Sequence, residues 1–205
     1  MKKTIFFVFM TFMVVHIAAG QNGTQSKFDK KLALDMLKRT FEELETRVAP
    51  LTEKELRYIP KDGGWTVLNC LEHLALVEPV LVGEIKKMIN DNAPDLSKDL
   101  SENDGLIITY ITDRTKKVTT AKPFRPLEKN LGKGKEDFLK EIKASRTEMI
   151  KLLTKTKADL RHLFGPYPYG EADAYQQFII AAAHSYRHVL QIQEILSELR
   201  PEKTK

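Results

Sequence analysis

Apolar side chains recur at steps of three and four residues in four separate stretches of the chain. This spacing places side chains on one face of an α-helix, whereas a half-buried strand would alternate at every second residue. The four stretches run over residues 28–48, 67–89, 135–157 and 172–199. No segment between them forms a convincing strand, so the pattern predicts an all-α protein built as a four-helix bundle.

Local signals refine this prediction. Thr66 stands at the N-cap position of the second helix. Pro79 lies inside that helix, where we expect a kink. Two shorter helical candidates lie in the connections, LTEKEL at residues 51–56 and GLIITYITDRT at 105–115. We interpret Trp65, directly before the second helix, as a packing anchor.

The 205 residues suit one domain, because the polar segment 90–134 lacks the apolar residues for a core of its own. The first 20 residues join Lys2 and Lys3 to a short apolar run and small residues, as in a secretory signal peptide. That run is shorter than the roughly 20 residues of a membrane-spanning helix. We therefore predict a signal peptide at 1–20 and a single domain at 21–205. The product would be exported, periplasmic or extracellular, and not inserted in a membrane.

Charge and cysteine content argue against a nucleic-acid-binding protein and against a protein stabilised by internal disulfides. The chain has 33 Lys and Arg against 28 Asp and Glu, and loss of Lys2 and Lys3 lowers the formal charge from +5 to +3. Such a mild and dispersed excess indicates no nucleic-acid partner. The single cysteine, Cys70, cannot form an internal disulfide, so stability must come from packing.

Two histidines in AAAHSYRHVLQIQ, His184 and His188, are four residues apart in the fourth helix. Residues at this spacing share a helix face, so both imidazoles could bind one metal ion. The motif alone is weak evidence, because helices often carry two histidines on a partly exposed face.

His73 in the second helix strengthens the metal hypothesis, since ligands to one ion in a bundle come from facing helices. Three histidine nitrogens with one open position are typical of catalytic zinc sites. Gln177 and Gln191 lie on the histidine face of the fourth helix and could orient a ligand nitrogen or a water molecule. The alternative is that the histidines are satisfied core residues and the glutamines only pack.

Three stretches resemble the DinB-like four-helix-bundle superfamily of metal-dependent hydrolases, which is unrelated to the DNA polymerase of similar name. They are GWTVLNCLEHLALVE at 64–78, the weaker KPFRPLEKN at 122–130, and HLFGPYPYGEADAYQQFIIAAAHSYRHVLQIQEIL at 162–196. The resemblance implies an up-down-down-up bundle with a long crossover between helices two and three, which residues 90–134 could form. It also implies a metal site of His73, His184 and His188, while His162 matches no ligand of the family.

The sequence thus predicts a metal-dependent hydrolase or transferase that acts on an unidentified small molecule. Imidazole ligands suit zinc, our first choice of divalent metal, and nickel, our second. The family that this sequence resembles includes transferases that use cytoplasmic thiols, which an exported protein would not meet. No general base is assigned, and a metal-binding or small-ligand-binding bundle without turnover is the alternative. A homodimer is compatible with the resemblance, although no apolar surface stripe demands one.

Overall fold

Four long helices form the body of the protein in the computed structural model, which describes residues 27–126, 132–168 and 170–200. The long helices are α1 (Lys27–Val48), α3 (Val67–Asp91), α5 (Lys135–Lys155) and α6 (Ala174–Leu199). Two short helices, α2 (Glu53–Leu56) and α4 (Asp104–Thr112), occupy the segments where the sequence indicated them. The predicted four-helix bundle is confirmed. The predicted signal peptide, residues 1–20, lies outside the described residues.

Contacts at one end of the bundle establish the directions of the helices. Lys135, at the start of α5, donates to the carbonyl of Ala49 just after α1, with 3.0 Å between nitrogen and oxygen. Glu198, near the end of α6, accepts from the Tyr58 hydroxyl in the connection before α3 at 2.7 Å. The ends of α1 and α6 therefore lie beside the starts of α3 and α5. This is the predicted up-down-down-up order, in which α1 and α3 each pack chiefly against α5 and α6.

Capping explains where α3 and α6 begin. Thr66 caps α3, because its hydroxyl accepts from the Asn69 amide at 3.1 Å while the Asn69 side chain accepts from the Thr66 amide. Asp173 caps α6 through the Gln176 amide at 2.6 Å. Helix α3 continues through Pro79 to Asp91. None of the described helices is both long enough and apolar enough to cross a membrane.

A β-hairpin stands where the sequence predicted only a loop. Strands β1 (Phe164–Tyr167) and β2 (Gly170–Asp173) pair in antiparallel orientation, so the prediction that no strand is present was wrong here. The strand sequences FGPY and GEAD contain glycine and proline and do not alternate apolar with polar residues, so they carry no strand signal. The hairpin packs on α3, since a Cβ at Gly165 would lie only 3.0 Å from the Met88 sulfur.

The long crossover between α3 and α5 is attached to α6 by two arginines. Arg187 on α6 donates to the carbonyls of Ile111 at 3.0 Å and Lys116 at 2.8 Å, close to the end of α4. Arg114 in the crossover forms an ion pair with Glu194 on α6 at 2.8 Å. The bond to Ile111 satisfies a carbonyl that the end of α4 leaves without a partner inside the helix. The bonds of Arg187 and Arg114 together hold the segment after α4 against the bundle.

A layer of buried polar groups separates two apolar clusters of the core. Arg146 on α5 contacts the carboxylate of Glu78 on α3 through Nε at 3.0 Å and Nη2 at 2.7 Å. Ser185 on α6 donates to the same carboxylate at 2.7 Å. Arg146 is 2% exposed and Glu78 is fully buried. Water therefore cannot replace either partner, and each of these charges depends on the other.

We expect Glu78→Leu to lower the free energy of unfolding by about 3–5 kcal/mol, because it leaves the Arg146 guanidinium buried without its counter-charge. The double variant Glu78→Leu/Arg146→Met should recover most of this loss, since both charges are then gone. Urea denaturation followed by circular dichroism measures both effects.

Glu148→Gln is the matched control, since Glu148 pairs with Lys86 at the surface at 3.0 Å. Surface pairs contribute less than about 1 kcal/mol. A cost for Glu78→Leu as small as that of the control would contradict the structural role of the buried pair.

Candidate metal centre

The structure brings together the three histidines that the sequence singled out. His73 extends from α3 toward α6, where His184 and His188 occupy successive turns. The Nε2 atom of His184 lies 3.2 Å from that of His73 and 3.3 Å from that of His188. One nitrogen from each ring lies within 4.8 Å of the other two. The i, i+4 spacing thus places both imidazoles on the face that meets α3.

Hydrogen bonds determine which ring nitrogen carries the proton in His73 and in His188, the outer histidines on either side of His184. The Nδ1 atom of His73 lies 2.7 Å from the carbonyl oxygen of Phe124, and a carbonyl can only accept. The Nδ1 atom of His188 lies 3.0 Å from Oε1 of Gln191. Both rings therefore carry their proton on Nδ1, and their Nε2 lone pairs are directed at His184.

Burial keeps all three imidazoles neutral. It lowers the pKa of His73, against a smaller opposing effect of the bond to Phe124. Burial, and repulsion from the protonated form of His73, lower the pKa of His184 to about 3, so His184 is neutral at neutral pH. Burial also holds the pKa of His188 well below its ordinary value. Neutral imidazoles are the form that binds metals.

The three nitrogens fit a metal ion better than they fit one another. With both outer Nε2 atoms unprotonated, at most one proton, on His184, can lie among three converging nitrogens. Two ligands at zinc–nitrogen distances of about 2.0–2.1 Å and a tetrahedral angle are separated by about 3.3 Å. The two separations from His184, 3.2 and 3.3 Å, match this value, and all three nitrogens lie within 4.8 Å of one another. The donor set therefore suits a divalent cation.

Trp65 belongs to this centre, which the sequence interpretation missed. Its ring centroid lies 4.9 Å from that of His73 and 6.0 Å from that of His188, nearly parallel to the latter at 14°. Its position directly before the Thr66 cap places it at the start of α3, less than three turns before His73. The only sequence signal was an aromatic residue at the start of a ligand-bearing helix.

The other sequence candidates take different positions. Gln191 contacts His188, but no hydrogen bond joins Gln177 to a histidine within the described ranges. His162 is bound to Asp159 at 2.8 Å, outside the cluster, as the sequence indicated. Cys70 lies in the apolar core, and burial raises the pKa of its thiol to about 12. Among the described residues no carboxylate joins the three histidines.

Comparison with known proteins identifies the class. The model of the DinB superfamily matches residues 36–192, and the chain belongs to this superfamily. Among solved structures, YfiT from Bacillus subtilis is similar to it, with a TM-score of 0.63 and 18% sequence identity. The match covers 86% of this chain and 90% of YfiT, which is described as a probable metal-dependent hydrolase with an unusual four-helix bundle topology. A search of curated proteins found no match.

We expect Gln191→Ala to weaken metal affinity by about 10–100-fold, because His188 loses the acceptor that orients its ring. Competition between the protein and a colorimetric chelator for zinc measures the dissociation constant. Gln193→Ala, an exposed position on the same helix, is the matched control. Equal affinities for the two variants would contradict an orienting role of Gln191.

Proposed function

We propose that this protein is an exported metal-dependent hydrolase or transferase acting on a small molecule, with His73, His184 and His188 binding one divalent ion. The observation that carries the proposal is the convergence of three Nε2 atoms, two of them with lone pairs directed inward by Phe124 and Gln191. Membership of the DinB superfamily and the description of YfiT support the reaction class.

The chain's own residues would present a rigid, neutral ligand set. The Phe124 carbonyl prevents the His73 ring from turning, and Gln191 does the same for His188. A divalent ion bound by neutral ligands keeps its full charge, which polarises a substrate oxygen or lowers the pKa of a water molecule. Trp65 shields one side of the histidines from solvent. Zinc is our first choice and nickel our second, since both accept imidazole nitrogen.

A second candidate is a bundle that binds metal or a small ligand without turnover. It is favoured by the lack of a carboxylate in the histidine cluster within the described ranges, because hydrolysis commonly uses a nearby general base. The two candidates share the metal site and differ in catalysis.

Export and partners complete the proposal. The layout of residues 1–20 supports a signal peptide, and an exported enzyme would not meet cytoplasmic thiols. The dispersed charge favours a small-molecule substrate over nucleic acid. A homodimer is the assembly we would test first, by light scattering of the mature chain.

Export predicts that the full chain, expressed in a bacterium, is released from the cytoplasm as a product that begins at Gln21. Intact-mass measurement of the product outside the cytoplasm locates the cleavage site. A full-length product retained in the cytoplasm would contradict export.

Metal binding by the mature chain is the decisive measurement. After loading with zinc or nickel and removal of excess ion, elemental analysis should find about one equivalent of metal. His184→Ala should lose it, because a central ligand is gone, whereas His162→Ala should retain it as the matched control. A wild-type chain that remains metal-free after loading would contradict the site.

Catalysis is tested on the loaded protein with a panel of ester, amide and transferase substrates. Turnover that disappears both on chelation and in His184→Ala supports the enzyme. A protein that binds metal and converts none of the substrates supports the second candidate.

A further inference from the structure

A groove of about 400 Å³ shares Trp65 with the histidine centre. Residues of the crossover form most of it, and a residue next to α3 completes it. The lining residues are Trp65, Val118, Thr119, Thr120, Arg125 and Pro126. None of these described lining residues is acidic, so none of them neutralises the positive charge of Arg125.

Two features connect this groove directly to the histidines. The Trp65 indole that lines it also contacts the rings of His73 and His188. Phe124, whose carbonyl orients His73, immediately precedes Arg125 in the chain. A molecule in the groove would therefore lie next to the proposed metal site.

Arg125 is held in place by one bond that leaves most of its donors available. Its Nε atom donates to the carbonyl of Thr120 at 2.8 Å, which restrains the guanidinium. No hydrogen bond or ion pair engages its Nη1 and Nη2 atoms within the described part of the chain. Guanidinium donors match the two oxygens of a carboxylate, and such charge-assisted bonds are about twice as strong as neutral ones.

The other walls favour a flat apolar group. The Trp65 indole, Val118 and Pro126 offer apolar surface, and an indole binds planar rings by stacking. Arg125 is the single cation among the lining residues that the structure describes, and its one charge balances a carboxylate better than the two charges of a phosphate monoester.

We propose that this groove is the substrate subsite and that it takes an organic carboxylate with a flat apolar portion. The carboxylate pairs with Arg125, and the flat portion lies against Trp65. This inference rests on the proposed function, because the bound carboxylate is a substrate only if the metal centre is catalytic. Binding of the carboxylate itself requires only residues of this chain.

The test uses the fluorescence of Trp65, the single tryptophan of the chain. The probe is 4-nitrobenzoate, whose nitroaromatic ring quenches a nearby indole, and 4-nitrobenzamide is its neutral counterpart. We expect saturable quenching by 4-nitrobenzoate in both the metal-free and the zinc-loaded mature protein. Binding of the amide should be weaker by roughly tenfold or more, because it lacks the charged partner of Arg125.

Arg125→Gln should weaken binding of 4-nitrobenzoate by a similar factor and leave binding of the amide unchanged. Arg39→Gln is the matched control, since Arg39 is an exposed arginine on α1. Both substitutions are at exposed positions and should not affect folding, which thermal unfolding verifies.

Three results would overturn the proposal. Equal affinities for the acid and the amide, or no effect of Arg125→Gln, would remove the role of the guanidinium. Quenching only in the zinc-loaded protein, without dependence on Arg125, would place the carboxylate on the metal instead. Tighter, Arg125-dependent binding of phenylphosphonate, measured by displacement of 4-nitrobenzoate, would assign the groove to phosphates.

Failure of the groove and failure of the metal site are distinguishable. A protein that binds zinc but shows no Arg125-dependent binding of 4-nitrobenzoate contradicts the groove alone. A protein that binds no metal but binds 4-nitrobenzoate through Arg125 supports the groove and contradicts the proposed metal centre.

Discussion

The ion pair between Arg146 and Glu78 joins three of the four long helices at the middle of the bundle, with Ser185 as its third member. An apolar core tolerates small sliding of one helix along another, but a buried charge pair does not, because displacement would leave charges without partners. The pair therefore determines the axial position of α3 relative to α6. His73 lies five residues before Glu78, and His184 directly precedes Ser185. The meeting of their Nε2 atoms depends on that position.

The crossover between α3 and α5 supplies the carbonyl that orients His73 and most of the residues that line the groove. Arg187 and Arg114 attach it to α6 near the end of α4. From there the chain runs back across α3, where the Phe124 carbonyl contacts His73. The same segment continues into the groove at Arg125. One connection thus orients a histidine and lines the neighbouring groove.

The centre and the groove are electrostatically compatible with an anionic ligand. Three neutral imidazoles would leave the full charge on a bound cation, and Arg125 adds a second positive group nearby. Burial of the histidines makes ions near them interact more strongly than they would in water. Trp65 contacts both parts.

Much of this architecture was predictable from the sequence. Apolar periodicity located the long helices to within about two residues at most ends, and the Thr66 cap marked the start of α3. The spacing of His184 and His188 required a shared face, because helix geometry is local. The hairpin formed by β1 and β2 was missed, since its strands contain glycine and proline and do not alternate apolar with polar residues. Arg146 sits within the apolar stripe of α5, which was an overlooked sign of a buried charge.

The amino-acid sequence by itself therefore determined the helices, their amphipathic faces and the three imidazoles available to a metal. Only the tertiary structure decided that Gln191 rather than Gln177 contacts a histidine of the cluster, that Phe124 presents its carbonyl to His73, and that Trp65 lies against two of the rings. The reason is physical. Local periodicity is encoded within one turn of a helix, whereas these contacts join residues far apart in the chain and depend on how the crossover folds over the bundle.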